Sequence, residues 1–244
     1  MATATTDTSR PLDFARAFRF VVEDPDWIKK ILIGGLFTLL SAVLVGAPFV
    51  MGYLVRLLRN VARGEARPLP EWDDLGGLFM DGLRALAVYL GHLVAALILP
   101  VSAGCLLGLV MGGAHQARGG SGDALGALAA FGMVGLYGIG ALLMLVLMLY
   151  VPAALLRFAL YDSVAAGFEP REALAIIRRN LGNYLLALVL YLVANVASQL
   201  GVILCCVGVF PLGFWSVCIL AWGLGEVARR DPVLTGSAPP ALTS

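Results

Sequence analysis

The densest set of side chains that could carry chemistry is acidic and lies in a short stretch between two apolar segments. Its members are Glu71, Asp73, Asp74 and Asp81. Carboxylates this close together can bind a divalent cation, but acidic residues also stabilise a helix N-terminus and pair with nearby arginines. Because arginines flank the stretch on both sides, capping and pairing are favoured, and no metal or other cofactor is predicted.

Few other polar side chains lie within the apolar segments. His92 is the one histidine there, and Asn195 and Gln199 are four residues apart, so they share a helical face. Such groups form hydrogen bonds between membrane helices, although a pore or a ligand site could use them too. No Asp, Glu or Lys lies in the middle of an apolar segment, and proton-coupled carriers usually need such a group.

Recognisable catalytic motifs are missing from the sequence. There is no Ser/His/Asp set and no glycine loop that could cradle a phosphate. Four cysteines lie in apolar segments without metal-ligand spacing, which is typical of small buried residues. They are Cys105, Cys205, Cys206 and Cys218. An enzyme is therefore not predicted.

Sixteen of the seventeen Lys and Arg residues fall in four patches between the apolar segments, the basic belts. The belts cover residues 10–30, 56–84, 157–179 and 229–230, and Arg118 stands apart. Basic residues collect on the cytoplasmic side of membrane proteins, so both termini are predicted to be cytoplasmic. Each basic residue near an anionic leaflet also adds about 1 kcal/mol of attraction. The candidates for lipid-headgroup contact are Arg16, Arg19, Arg56, Arg59, Arg63, Arg178 and Arg179. The alternative is that the belts only set the topology.

Composition places the chain in a membrane. Hydrophobic residues make up 60% and charged residues 14% of the 244 residues, and the mean hydropathy is +0.89. A soluble domain of this length could not bury so much apolar surface. The net charge of +1 is too balanced for nucleic-acid binding, and the polar first ten residues do not resemble a cleavable signal peptide.

The hydrophobic pattern predicts an all-α polytopic membrane helix bundle. Six membrane-embedded helices form three hairpins, in a single membrane domain over residues 12–230, between disordered tails at 1–11 and 231–244. Amphipathic helices in the membrane interface are expected at 12–22, 73–84 and 170–181, the last one stopped by Gly182. Three units of basic helix, inward helix, turn and outward helix form loose repeats. The units are residues 12–60, 73–160 and 171–230.

The first apolar segment, residues 31–55, is ambiguous. Its length suits one span kinked at Gly46-Ala47-Pro48, because 25 helical residues reach about 37 Å. A hairpin, in contrast, divides the basic residues sixteen inside to one outside, whereas a single crossing divides them eleven to six at best. The charge distribution favours the hairpin.

Three glycines at i, i+4 and i+8 form a double GxxxG pattern in the second apolar segment. They are Gly104, Gly108 and Gly112. This spacing lets another helix approach closely. Packing within the chain is the first interpretation, and self-association is the alternative.

Several short motifs together resemble a prokaryotic multi-pass membrane family catalogued as domain of unknown function 4013. They are Leu69-Pro70-Glu71-Trp72-Asp73-Asp74, Asp24-Pro25-Asp26-Trp27, Leu32-Ile33-Gly34-Gly35-Leu36, Gly52-Tyr53-Leu54-Val55-Arg56 and Cys205-Cys206-Val207-Gly208. The resemblance covers about residues 12–228 and implies a protein integral to a bacterial or archaeal cell membrane, with no activity to carry over. In that family the last span often ends in Ala-His-x-x-Gly, whereas this chain has Trp222 in place of the histidine.

Two functions follow as hypotheses. The first is a non-enzymatic membrane module that contacts anionic lipids or packs against a partner, which could be a second copy or a membrane complex. The alternative is a small-solute transporter or channel, suggested by helices broken at Gly46–Pro48, Pro100 and Pro211.

Overall fold

A computed structural model describes three stretches of the chain, and every regular element within them is helical, which confirms the all-α prediction. The described residues are 12–117, 123–203 and 207–235, without the side chains of 99, 111–117, 123–130 and 203. The chain divides into two compact units. Unit 1 comprises the residues up to Val88 and from Pro152 onwards, and unit 2 comprises Tyr89–Val151.

The α-helices of the described residues differ widely in length. They are α1 (Phe14–Val22), α2 (Trp27–Leu40), α3 (Ala47–Ala62), α4 (Leu75–Ala117), α5 (Asp123–Tyr161), α6 (Val164–Gly167), α7 (Pro170–Arg179), α8 (Leu181–Ser198) and α9 (Val209–Arg230). Short 3₁₀ helices extend α2 over Ser41–Val43 and α8 over Gln199–Ile203.

Four helices of the described residues are long and apolar enough to cross a membrane, as expected of a membrane protein. The candidate spans are Leu75–Val110, Phe131–Tyr161, Leu181–Val202 and Val209–Arg230. With 14 and 16 residues, α2 and α3 reach only about 21 and 24 Å. Each is shorter than the hydrocarbon core of about 30 Å.

The first apolar segment contains two helices and a turn, not one kinked helix. Leu44, directly after the 3₁₀ helix, begins the turn with a left-handed φ of 65°. Lys30 Nζ, at the start of α2, donates a hydrogen bond to Leu69 O (3.2 Å), and Asn60 Nδ2, at the end of α3, donates one to Pro68 O (2.9 Å). Because the segment 68–69 is hydrogen-bonded both to the start of α2 and to the end of α3, these two ends lie close together. Helices α2 and α3 therefore form a helix–turn–helix unit.

Helix α9 is the core of unit 1. It packs against α2, α3 and α8, and residues 221–228 are all buried. Glycines allow the close approach: a Cβ on Gly35 would lie 2.8 Å from Cα of Pro211, and a Cβ on Gly223 would lie 2.7 Å from Cβ of Ala187. In the same way, Gly82 allows α4 to cross α3, because a Cβ there would overlap the carbonyl oxygen of Pro48.

The predicted glycine stripe makes fewer close helix contacts among the described residues than the glycines of unit 1 named above. A Cβ on Gly104 would lie 2.8 Å from Leu136 of α5, so Gly104 does pack within unit 2. Gly108 has nothing within 4 Å of that position, and the surroundings of Gly112 lie outside the described side chains. The stripe therefore does not form one continuous contact with α5.

Two predicted helix boundaries are wrong. No separate helix covers 73–84, because α4 continues from Leu75 through Arg84 without a break. Gly182 does not stop α7, which ends at Arg179 with Asn180 as its C-cap, and Gly182 is already part of α8. Arg84 and Gly182, which suggested helix ends, both lie inside a helix.

The prolines proposed to break helices do not do so in the middle of a span. Pro100 lies inside continuous α4, Pro211 lies in the first turn of α9, and Pro48 lies in the first turn of α3. A proline in the first turn costs no helical hydrogen bond. Of the three helix breaks that suggested a transporter, the one between α2 and α3 is therefore the one that remains.

The predicted disordered tails fall largely outside the described residues. Residues 1–11 and 236–244 are not among them. Residues 231–235 form a turn in which Asp231 is fully buried and accepts a hydrogen bond from the Val233 amide (2.9 Å).

Candidate functional site: the charged end of unit 1

The charged residues of unit 1 collect where the polar ends of its helices meet, a region we call the charged end. Its ion-paired members are Asp24, Lys30, Arg56, Arg59, Arg63, Glu65, Glu71, Asp74, Asp81, Arg84, Arg157, Asp162, Glu169, Glu172, Arg179, Glu226, Arg229, Arg230 and Asp231. All four basic belts contribute. The starts of α2 and α4 and the ends of α3, α5, α7 and α9 therefore share one polar region.

Lys30 connects the Asp24–Trp27 motif with the Leu69–Asp74 motif. Its buried ammonium pairs with Asp24 at 2.8 Å and with Glu71 at 2.6 Å and also donates a hydrogen bond to Leu69 O. Burial lowers the pKa of Lys30, but the hydrogen bonds and negative charges of both carboxylates outweigh it, so the pKa lies above its ordinary 10.5. The lysine stays charged because its partners replace the lost water.

Trp72 lies between α2 and α3 and holds them together. Its ring stacks on Phe37 of α2 (5.0 Å between centroids) and on Tyr53 of α3 (4.6 Å). Its indole N–H donates a hydrogen bond to Lys30 O (3.1 Å). This explains the Leu69–Asp74 motif as a brace across the helix–turn–helix unit.

Two arginines of α3 connect it to α4 and to the end of α5. Arg56 pairs with Asp74 (2.8 Å) and with Asp81 (3.0 Å). Arg59 pairs with Asp162 (2.7 Å) and donates a hydrogen bond to Ala159 O (2.6 Å). Two of the predicted headgroup candidates are thus already bound within the chain.

Asp74 both caps α4 and pairs with α3. It accepts a hydrogen bond from the Gly77 amide (2.9 Å), and this bond, together with Arg56, lowers the pKa of its carboxyl below the ordinary 3.8. Asp81 and Glu71 also face cations, so capping and pairing explain three of the four acidic candidates. No group of metal-ligating side chains occurs in the part of the chain that the structure describes.

Arg157 is a buried arginine near the end of α5 that sequence reasoning placed only in a belt. Its guanidinium pairs with Glu169 and with Glu172 (3.7 Å), donates to Ala166 O (3.2 Å) and lies over the Tyr161 ring (4.9 Å). The two glutamates at the start of α7 were the signal that could have revealed this contact.

The end of α9 is also neutralised within the chain. Buried Glu226 pairs with Arg229 (2.8 Å) and Arg230 (3.2 Å) on the same helix. Arg179, another headgroup candidate, pairs with buried Asp231 (3.1 Å). Nearby, Trp222 stacks on Phe20 of α1 (5.8 Å).

A second class of cations makes no ion pair with any described carboxylate. These exposed residues are Arg16, Arg19, Lys29, Arg67, Arg171 and Arg178. Three of them, Arg16, Arg19 and Arg178, were among the predicted headgroup candidates. Arg63 belongs between the classes, because its nearest carboxylate, Glu65, is 3.9 Å away. Of the seven candidates, three are therefore bound within the chain, three are available, and Arg63 is intermediate.

The polar candidates of the apolar segments have different surroundings. His92 of unit 2 contacts the ring of Tyr150 (5.1 Å). In unit 1, Asn195 is half-buried and Gln199 is exposed. Of the cysteines, Cys218 is buried as predicted, but Cys105 is exposed. The pair Cys205 and Cys206 lies outside the described residues.

Three of the clefts that described residues form open at the charged end. The first, of about 340 Å³, lies between the ends of α3, α5 and α9. The second, of about 430 Å³, lies between α3 and the segment before α4. The third, of about 50 Å³, lies beside α1 and is lined by Arg16, Glu65 and Arg229 among others. Arg59 and Arg63 line both of the larger clefts.

Comparison with known proteins supports the resemblance. A family model described as Protein of unknown function (DUF4013) matches residues 35–207, which is 173 of the 244 residues. The chain therefore belongs to this family. No curated protein matches it, and no solved structure does.

Proposed function

We propose that this member of the DUF4013 family is a non-enzymatic, multi-pass membrane protein that binds anionic lipid headgroups through the available cations beside α1. The observation that carries the proposal is the division of the basic belts. Some cations are neutralised within the chain, while others are exposed and lie next to exposed apolar side chains. The second arrangement suits the boundary between headgroups and acyl chains.

Helix α1 presents three different faces. Ala17, Phe20 and Val21 are buried against the rest of unit 1. Phe14 and Val22 are 53% and 51% exposed. The remaining surface carries Arg16 and Arg19, whose helical positions place them on a third side, between the buried residues and Val22. A helix with a protein face, an apolar face and a basic face can lie flat in the interface.

The same combination recurs at two other places. Lys29 follows exposed Ile28 at the start of α2, and Arg178 lies four residues after exposed Leu174 on α7. The other two available cations differ. Arg67 is followed by buried Pro68, and Arg171 lies between Pro170 and Glu172.

The lipid proposal is tested with two double variants of equal charge. Arg16→Gln/Arg19→Gln should lower the amount of anionic lipid retained by the purified protein in native mass spectrometry by about thirtyfold, because each of the two basic residues contributes about 1 kcal/mol near an anionic leaflet. Arg67→Gln/Arg171→Gln removes the same charge away from apolar surface and should change retention little. An equal loss of retained lipid in both double variants would show that only net charge matters, and it would contradict the proposal.

The proposed topology has six membrane-embedded helices in three hairpins: α2 with α3, α4 with α5, and α8 with α9. The charged end is then cytoplasmic, as are both termini. In this arrangement α2 and α3 enter the membrane and return without crossing it. Exposed Val43, Leu44 and Val45 at their turn suit an apolar surrounding.

Topology is tested by labelling single cysteines in a variant without the four native cysteines. Ala66→Cys, in the exposed connection after α3, should react with an impermeant maleimide only after the cytoplasmic side is opened. Val45→Cys should resist the reagent on both sides, because the turn remains within the membrane. Labelling of Ala66→Cys in intact cells would contradict the orientation.

The alternative, a small-solute transporter or channel, stays a prediction. Neither His92 nor Asn195 lines one of the three clefts described above. Solute flux in proteoliposomes that is lost in Asn195→Leu would establish this function.

A further inference from the structure

The second cleft of the charged end has two chemically different walls. One wall is α3, with Arg56, Arg59, Asn60 and Arg63, and the other is the segment before α4, with Pro70, Glu71 and Asp73. Its volume of about 430 Å³ lies within the range of small-molecule sites, about 300–1,000 Å³.

Arg63 is the cation of the α3 wall that is open to a ligand. Arg56 and Arg59 are held by Asp74, Asp81 and Asp162. Arg63, in contrast, has a side chain that is 68% exposed, and its nearest carboxylate is 3.9 Å away, which is beyond hydrogen-bond distance. A guanidinium has five N–H donors in a planar fork that matches the oxygens of a phosphate.

Asp73 is the corresponding anion of the opposite wall. Glu71 beside it is paired with Lys30 at 2.6 Å. Asp73 accepts one hydrogen bond, from the Asp74 amide (2.9 Å), and makes no ion pair with a described cation. Its remaining oxygen lone pairs can accept hydrogen bonds from an ammonium group.

We propose that this cleft binds a small zwitterion of the phosphoethanolamine class, with its phosphate on Arg63 and its primary ammonium on Asp73. One cation and one carboxylate on facing walls match the two charges of such a group. A trimethylated ammonium has no N–H to donate, so a phosphocholine group binds more weakly. The phosphoethanolamine can come from a phosphatidylethanolamine headgroup or from a free compound.

A plain anion site is the competing explanation, and the effect of Asp73 distinguishes the two. If the ligand were only an anion, Asp73 would repel it and its neutralisation would strengthen binding. If the ligand is a zwitterion, Asp73 attracts the ammonium and its neutralisation weakens binding. The sign of one substitution therefore decides between them.

The experiment uses the full chain in phosphatidylcholine nanodiscs. In one arm the discs include phosphatidylethanolamine, and native mass spectrometry measures its retention against phosphatidylcholine. In the other arm, O-phosphoethanolamine or inorganic phosphate is titrated by calorimetry. Arg63→Gln and Asp73→Asn should each weaken phosphoethanolamine binding by about three- to fivefold, the scale of an exposed ion pair. Both residues are exposed, so neither substitution should affect folding.

Matched controls use exposed residues of the same types that line none of the described clefts. Arg67→Gln and Asp26→Asn, whose carboxylate makes no capping bond, should leave binding unchanged. Retention of the diacyl lipid without binding of the free compound identifies a lipid site, and binding of the free compound identifies a soluble ligand. Absence of both, unchanged binding in Arg63→Gln, or tighter phosphate binding in Asp73→Asn would overturn the proposal. Arg16→Gln/Arg19→Gln should leave this cleft unaffected, so the proposal is tested independently of lipid binding at α1.

Discussion

Unit 1 and unit 2 both contain helical segments apolar enough to lie in a membrane, yet their side chains have different surroundings. In unit 1, α9 is buried over residues 221–228, and most charged residues at its polar end have a partner within the chain. In unit 2, α4 and α5 contact each other through Gly104 and Leu136, while other side chains face outwards. Phe131 and Tyr137 are 77% and 72% exposed.

The difference shows that apolar sequence alone does not reveal what a helix packs against. Several glycines of unit 1 mark places where another helix touches the backbone, as at Gly82 and Gly223. Gly135 and Gly138 of unit 2 have open space where a side chain would begin. Unit 1 is held by protein contacts, and the outer faces of unit 2 are available to lipid or to another protein.

The largest expected effect comes from filling a glycine contact in unit 1. Gly82→Leu places a side chain against the carbonyl oxygen of Pro48, and the backbones of α3 and α4 must separate to accept it. We expect a loss of about 3 kcal/mol or more. It would be seen as a lower thermal midpoint in detergent and less monodisperse protein in size-exclusion chromatography.

Gly138→Leu is the matched substitution in unit 2. It meets open space and replaces glycine with a better helix former, so the midpoint should stay within the equivalent of about 1 kcal/mol and shift upwards if at all. A loss as large as that of Gly82→Leu would break the comparison. It would mean that a second copy or a partner covers this face of α5.

A smaller effect is expected from the buried cation of α5. Arg157→Met leaves Ala166 O without its donor and removes the partner of Glu169, which should cost about 2 kcal/mol, since both glutamates keep some contact with water. Arg171→Met, which removes an exposed cation from α7, should cost less than about 0.5 kcal/mol. Thermal unfolding in detergent compares the two. Equal midpoints would show that the ion pairs of the charged end do not stabilise it.

Much of the fold could be predicted because hydrophobic periodicity and turn residues are local signals. Helices α1 and α7 begin within two residues of their predicted starts, where Asp13 caps one and Pro170 opens the other. The helix that begins near residue 73 also starts within two residues of its predicted position, but the boundary predicted at Arg84 is wrong. In the structure, α4 continues past Arg84, whose guanidinium is 4.0 Å from Asp162.

The charged end could be predicted only in part, because its pairs join residues that are distant in sequence. Arg59 and Asp162 are 103 positions apart, and no local pattern links them. The belts indicated which residues would gather on one side. They could not indicate that Arg56 and Arg179 would be neutralised there while Arg16 and Arg19 stay available.

The buried position of α9 has a consequence for the order of assembly. Helices α2 and α3 pack against α9, which is the last of the described helices to leave the ribosome. Their contact surface therefore waits for about 150 further residues to be synthesised, and contacts between such distant segments form slowly. During that interval the glycine face of α2 has no native partner in the chain. The helix–turn–helix unit of α2 and α3 is thus the last part of unit 1 to gain its native contacts although it is made early, and loss of α9 would leave it permanently incomplete.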